Sequence, residues 1–289
     1  MNNRPLRVAA IHDISSFGRC SLSVIIPVLS VMGVQVCPVP TAVLSTHTGG
    51  FDDFVFRDTT DFLSPCLAHW KKLKLEFECI YSGFLGNVEQ ITLTKHYFEA
   101  FPQALKVVDP VMGDEGKLYQ TYTSQMCSRL ADLVSLADII TPNLTEAAIL
   151  LGEDYPKETQ RIQPSFFVDW LNRLSDHGKK SVVITGVTVS ETHIANFGFD
   201  REMGNYWGSN CLYLPAQYPG TGDIYASILT GALLQGKSLP QAMTRATNFV
   251  GECLEITYQS KNPCRDGVLL ESVLPSLLNP DYENGCYAL

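Results

Sequence analysis

No stretch of this chain is long and apolar enough to span a membrane. Its longest greasy run, Leu22–Val34, falls short of the ~20 residues that a bilayer demands and carries Pro27. Export is not signalled either, because Arg4 and Arg7 precede only Val8–Ile11 before His12 and Asp13 end the run. Positive charge is scarce: 21 Lys and Arg stand against 30 Asp and Glu, for a net charge of −9. That balance excludes an extended basic face for nucleic acid. The expected setting is the cytoplasm, with neither membrane nor nucleic acid as partner. The nine cysteines are odd in number and scattered, and no C-x-x-C occurs among them. Free thiols in a reducing compartment fit this pattern; a disulfide framework or a zinc site does not. The chain also lacks G-x-x-x-x-G-K-[ST], lacks G-x-G-x-x-G after its first strand, and lacks the protein-kinase signatures.

What is present is an alternation of short apolar runs and helical patterns, the mark of βαβ units around a mostly parallel sheet. Strands are expected at Leu6–Ile11, Val34–Val39, Cys79–Ser82, Leu105–Asp109, Asp138–Thr141 and Ser181–Thr185. Most are continuously apolar, as strands covered on both faces should be. Thr192–Phe199 and Cys211–Leu214 read as a hairpin at the sheet edge, joined by a polar, mobile connection over Asp200–Asn210. Asn143-Leu144-Thr145-Glu146 fits a capping box with Gly152 as the helix stop, and Ser238-Leu239-Pro240-Gln241 opens a helix to about Tyr258. With no internal repeat and no long linker, 289 residues read as one α/β domain, with 279–289 a loosely held tail.

The most telling stretch is Gly220-Thr221-Gly222-Asp223, which opens the apolar segment Ile224–Leu234. Two glycines bare the backbone amides, and the following helix turns its positive end toward them, forming an anion cradle. A carboxylate beside such a cradle can take a proton from an alcohol while phosphate charge is held nearby. In an open parallel sheet, ligands bind outside the carboxyl ends of the strands. That rim collects Asp13, Asp109, Asp114, Asn143, Glu146, Thr185, Gly186 and Asp223. Hard oxygen ligands gathered there suit a Mg²⁺-nucleotide. Plainer roles stay open: Asp109 and Asp114 as turn residues, Glu146 as half of a capping box, Thr185 as a strand-end hydroxyl. The loop Thr41–Phe51 groups hydroxyls around His47 and suits a small polar ring, with Thr48 and His47 as hydrogen-bonding residues; an ST-turn is the alternative. Tyr119, after Gly116, reads as part of a flap or as a packed loop aromatic.

Five segments, in this order along the chain, resemble the pyridoxal kinase branch of the ribokinase-like superfamily. They are Ser45-Thr46-His47-Thr48-Gly49, Asp109-Pro110-Val111-Met112-Gly113-Asp114, Ile140-Thr141-Pro142-Asn143 with Glu146, Val183-Ile184-Thr185, and Gly220-Thr221-Gly222-Asp223. The resemblance implies a three-layer fold without a separate lid domain, and transfer of the ATP γ-phosphate to the 5′-hydroxymethyl group of pyridoxal, pyridoxine or pyridoxamine. It implies Asp223 as base and Gly220, Thr221 and Gly222 as the anion hole. Asp109, Asp114 and Glu146 would order Mg²⁺, with Asp109 and Thr141 near a monovalent cation such as K⁺. Asn143, Thr185 and Gly186 would touch the ATP phosphates, Thr48 the vitamin ring, and Tyr119 the flap over ATP. A homodimer is implied as well. Asp13 departs from the family pattern, which has serine there, and would face the ring nitrogen or favour an aminopyrimidine. A hydroxymethylpyrimidine kinase is therefore the second reading, and a catalytically silent vitamer-binding protein the third.

Overall fold

The computed structural model describes residues 4–157, 162–278 and 285–289. Its strands are β1 (Leu6–Phe17), β2 (Val34–Thr46), β3 (Phe56–Asp58), β4 (Cys79–Ser82), β5 (Leu105–Val108), β6 (Gly113–Asp114), β7 (Lys117–Leu118), β8 (Ile139–Ile140), β9 (Ser181–Thr188), β10 (His193–Asp200), β11 (Asn205–Leu212) and β12 (Tyr287–Ala288). The helices are α1 (Leu22–Val31), α2 (Thr60–Lys72), α3 (Val88–Ala100), α4 (Ser124–Val134), α5 (Leu144–Leu151), α6 (Pro164–Leu174), α7 (Thr221–Leu234), α8 (Leu239–Ser260) and α9 (Leu270–Val273).

Ten strands form one sheet in the order β12-β11-β10-β9-β8-β5-β4-β1-β2-β3. Six central strands, β2-β1-β4-β5-β8-β9, run parallel and correspond to the six expected from sequence. Along β1, Val8 and Ala10 enter one buried cluster while Ala9 and Ile11 enter the other, so the strand is apolar on both faces. Helices α2–α6 cover one face and α1 with α7–α9 the other, which makes the three-layer α/β fold. Helix α7 is buried continuously from Ile224 to Ala232, explaining its lack of a polar face. Strand order reverses between β1 and β4, and at such a switch point a crevice opens beyond the strand ends. Among the described residues the only other sheet is the two-stranded hairpin β6–β7.

Three sequence expectations change here. First, β1 and β2 run on past Ile11 and Val39 as a parallel ribbon to Phe17 and Thr46. Asp13 therefore lies inside a strand, where the pairing register shifts between His12 and Ile14; such a bulge re-aims a side chain. Pro38 and Pro40 hid the extension, but β2 tolerates them because its outer side pairs with β3 only from Ala42 onward. Second, Asp200–Asn210 is not a mobile connection: β10 and β11 pair from Asp200↔Asn205 to His193↔Leu212, leaving only 201–204 as a turn. Polar residues suit this strand because one side of it is largely open. Third, of the expected loose tail, 279–284 lie outside the described residues, while Tyr287–Ala288 pairs with Trp207–Gly208. No described helix is long and apolar enough to cross a membrane.

Candidate active site

Asp223 lies in the first turn of α7, just behind Gly220. Gly220 has φ 82°, and a Cβ added there would lie 1.9 Å from Arg19 O, so the turn requires glycine. No side chain caps α7, and the amides of its first turn are those that helix geometry leaves without internal acceptors. At Gly222 an added Cβ would meet nothing within 4 Å, and Gly220, Thr221 and Gly222 all border the cavity beside Asp223. The carboxylate is held from the opposite side: Ser21 N–H donates to Asp223 Oδ2 at 2.8 Å. Gly267, at φ 80°, completes the arrangement, since a Cβ there would reach within 2.9 Å of Arg19 Cβ. The main chain at Arg19 is thus clamped between two glycines, and Ser21 is presented to the acid. Burial raises the Asp223 carboxyl to about 7; the Ser21 bond opposes that rise, and the charge of Asp13 adds to it.

Further acids converge on the same space. Asp109 follows β5, and its N–H donates to Ser82 O at 2.8 Å. Burial, and then the Asp223 charge, lifts its carboxyl well above the usual range. Glu146 accepts from Met112 N–H at 3.0 Å and from Asn143 N–H at 2.8 Å. With Asn143 Oδ1 accepting from Glu146 N–H at 2.9 Å, the expected capping box is complete. Burial and the Asp109 charge hold Glu146 high as well. Burial raises Asp114, although its Oδ1 accepts from Glu115 N–H at 2.8 Å. Burial likewise pushes Asp13 up to about 6. Thr141 Oγ1 is buried without a hydrogen-bond partner.

On the other side of these acids, Thr185 bridges to Asn143, and its N–H donates to Pro142 O at 2.9 Å. Gly186 turns at φ 71°, faces open space, and donates its N–H to Asn196 Oδ1 at 3.0 Å. Tyr119 follows the β6–β7 hairpin, which Glu115 ties to Gln217 in the loop before α7. All of the candidate residues, from Asp13, His47 and Thr48 through Asp109 and Tyr119 to Gly220–Asp223, border one cavity of about 560 Å³. His47 needs correcting as a substrate hydrogen-bonder, because both ring nitrogens are already used. Nε2 meets Arg265 O at 2.7 Å and Nδ1 accepts from Gly49 N–H at 3.1 Å, so the ring ties its loop to the segment after α8. Toward β11 and α8 the cavity is lined by Leu212–Leu214 with Val250 and Leu254, and no residue of Asp200–Asn210 borders it.

The profile of the phosphomethylpyrimidine kinase family matches residues 26–265. The chain belongs to this family. A solved structure described as a putative phosphomethylpyrimidine kinase from Bacteroides thetaiotaomicron, in a crystal form with pyridoxal, is 42% identical. It is matched over 99% of this chain and 100% of its own, with a TM-score of 0.93. Pyridoxal kinase from Lactobacillus plantarum is 32% identical, with 95% and 96% of the two chains covered and a TM-score of 0.85. A pyridoxal kinase from Deinococcus radiodurans is 24% identical over 88% of each chain. The protein is thus a kinase of the pyridoxal kinase branch and the ribokinase-like fold, a phosphotransferase acting on an alcohol group.

Three further residues of this kinase's site carried no sequence signal that we used. Ser21, at φ 50°, acts through its backbone amide, which any residue type supplies. Asn196 holds Gly186 and also donates to Thr247 Oγ1 at 3.0 Å. A buried asparagine inside the apolar run Ile194–Phe199 was the available clue. His12 is fully buried, and its Nδ1 lies 3.9 Å from Asp223 Oδ1.

Proposed function

We propose that this kinase transfers the γ-phosphate of ATP to the 5′-hydroxymethyl group of pyridoxal, pyridoxine or pyridoxamine. The observation that carries the reading is the placement of Asp223: an anchored, proton-hungry carboxylate beside uncapped helix amides, in the cavity that Asp13 and Thr48 also border. Asp223 takes the proton of the acceptor alcohol as its oxygen attacks phosphorus. The amides of Gly220, Thr221 and Gly222, at the positive end of α7, receive the charge of the migrating phosphoryl group. Asn143, Thr185 and Gly186 border the ATP phosphates, and Tyr119 belongs to the flap above them. Asn143 Nδ2 donates one hydrogen to Gly113 O at 2.8 Å and keeps its second for the cavity. Thr48 and Asp13 face the vitamin ring.

The donor set fits Mg²⁺ and a monovalent cation such as K⁺. Among the described residues, no group of three or more His, Cys, Asp or Glu side chains could hold a metal by itself. Mg²⁺ bound to a nucleotide keeps waters and phosphate oxygens and takes few protein carboxylates. Asp109, Asp114 and Glu146, crowded and charge-starved, would order it, and Asp109 with the unpartnered Thr141 Oγ1 would face the monovalent ion. When bound, Mg²⁺ neutralises charge on the phosphates. The full reading includes a cytoplasmic homodimer, as the family resemblance implies.

A screen of ADP release with the three B6 vitamers and hydroxymethylpyrimidine tests the proposal. Turnover confined to vitamers is expected. Preference for the pyrimidine would transfer the reading to that substrate class, the one the family description names. Binding of pyridoxal with no ADP release would leave a silent binding protein. A pH dependence follows from the same carboxylate. The base works only when ionised, and its proton leaves near pH 7, so kcat/KM is expected to rise tenfold per unit below that value and level off above it. A profile flat between pH 5 and 8 would remove Asp223 as base.

A further inference from the structure

His12 is the second partner that the carboxylate of Asp223 lacks. The imidazole is completely buried, yet neither Nδ1 nor Nε2 has a hydrogen-bond partner. A buried ring with two unsatisfied nitrogens is unfavourable, and an apolar side chain of similar volume would pack there without that penalty. The surroundings are nevertheless shaped around the ring. Tyr81 meets it edge-on at 4.5 Å between centroids, and Gly83 makes room for it, since a Cβ there would fall 1.9 Å from His12 Cε1. Nδ1 faces Asp223 Oδ1 at 3.9 Å, about an ångström beyond a hydrogen bond, while Ser21 N–H already occupies Oδ2. The pairing bulge in β1 begins at His12, on the same stretch that turns Asp13 into the cavity. Burial also drives the imidazolium form down to about 3, so the ring stays neutral and carries a single N–H.

We infer that His12 is a positioning residue for phosphoryl transfer, its Nδ1–H donating to Asp223 Oδ1 as the site closes on substrate. The inference rests on Asp223 being the base of the proposed reaction. One donor on each oxygen stops rotation of the carboxylate and leaves a lone pair directed at the acceptor hydroxyl. Being neutral, the ring supplies this grip without adding charge to an acid-rich cavity. A donor on Nδ1 fixes the tautomer with Nε2 bare.

Two measurements decide the point. In wild-type protein with ¹⁵N-labelled histidine, NMR of the ring is expected to show His12 neutral with the hydrogen on Nδ1; hydrogen on Nε2 overturns the inference. Comparison with His12→Asn assigns the signal among six histidines. In steady-state kinetics, His12→Leu is expected to lower kcat by about 10- to 100-fold, with KM for ATP and acceptor within twofold. His12→Asn, whose amide nitrogen stands where Nδ1 stood, is expected to restore most of the loss. A Leu variant with kcat near wild type, or an Asn variant as impaired as Leu, overturns the inference. Should the Leu variant not fold, the tautomer and the Asn variant still decide. Should wild-type protein phosphorylate none of the vitamers, the functional reading falls, and the tautomer alone reports on the pairing of His12 with Asp223.

Discussion

Asp223→Asn is expected to lower kcat by about 10²- to 10⁴-fold, the range over which a positioned general base contributes. ATP binding, measured by calorimetry, should be unchanged, because the amides of the α7 start come from the backbone and survive the change. The same variant should be more stable than wild type at alkaline pH. Asp223 has its carboxyl raised to about 7 in the folded protein, against a usual value near 4. A group raised on folding contributes stability in full below its unfolded value and loses it as pH rises through the folded one. Asparagine carries no charge to bury, so its advantage should be absent near pH 3 and reach on the order of 4 kcal/mol above pH 8. Denaturant melts at the two pH values measure this. Near wild-type turnover in the variant would refute the base; stability equal at both pH values would refute the burial argument. Enzymes commonly hold catalytic groups in such unfavourable settings.

Gly220→Ala is the second change with a large expected effect. A residue with φ 82° costs about 1–2 kcal/mol when it is not glycine. Here the added methyl also lands on Arg19 O, so the segment carrying Ser21 must move away from Asp223. Loss of at least about 2 kcal/mol of stability and a fall of about 10²-fold in kcat should therefore appear together. Gly236→Ala separates the two causes. That glycine has φ 81° but nothing within 4 Å of its added Cβ, so strain without collision is expected, and kcat should stay intact. Equal loss of activity in both variants would show that the clamp on Arg19 does not matter.

Features written in local spacing were legible in the sequence. The capping box at Asn143 and Glu146, the αL stop at Gly152 and the helix start at Ser238 all formed where read. The central strands were legible because burial on both faces leaves unbroken apolar runs. Strand β11 was legible only at its end: Cys211–Leu212 fell in the run read as a hairpin arm, whereas Asn205–Asn210 has no apolar face to announce it. The candidate residues fell on one rim because strand ends in a parallel sheet share a direction, which a one-dimensional reading can use. What escaped was pairing across the fold. Ser21 and Asp223 are separated by 202 positions. Contacts between their chain segments depend on how α7 docks against the β1–α1 connection, and no spacing rule encodes that. His47 was misread for the same reason: its partner, Arg265, is 218 positions away.

The glycine at 267 and the carbonyl of Arg265 lie beyond the long helix α8, well outside every strand of the parallel core. Yet one presses on Arg19 and the other holds His47, so the carboxylate proposed as base and the loop around His47 both lean on this late stretch of chain. A protein cut after residue 260 would lose the edge strand β12, helix α9 and the buried side chains of Val268, Leu270, Val273 and Leu277. The supports behind Arg19 and His47 would go with them, so this end of the chain braces the cavity and the core at once.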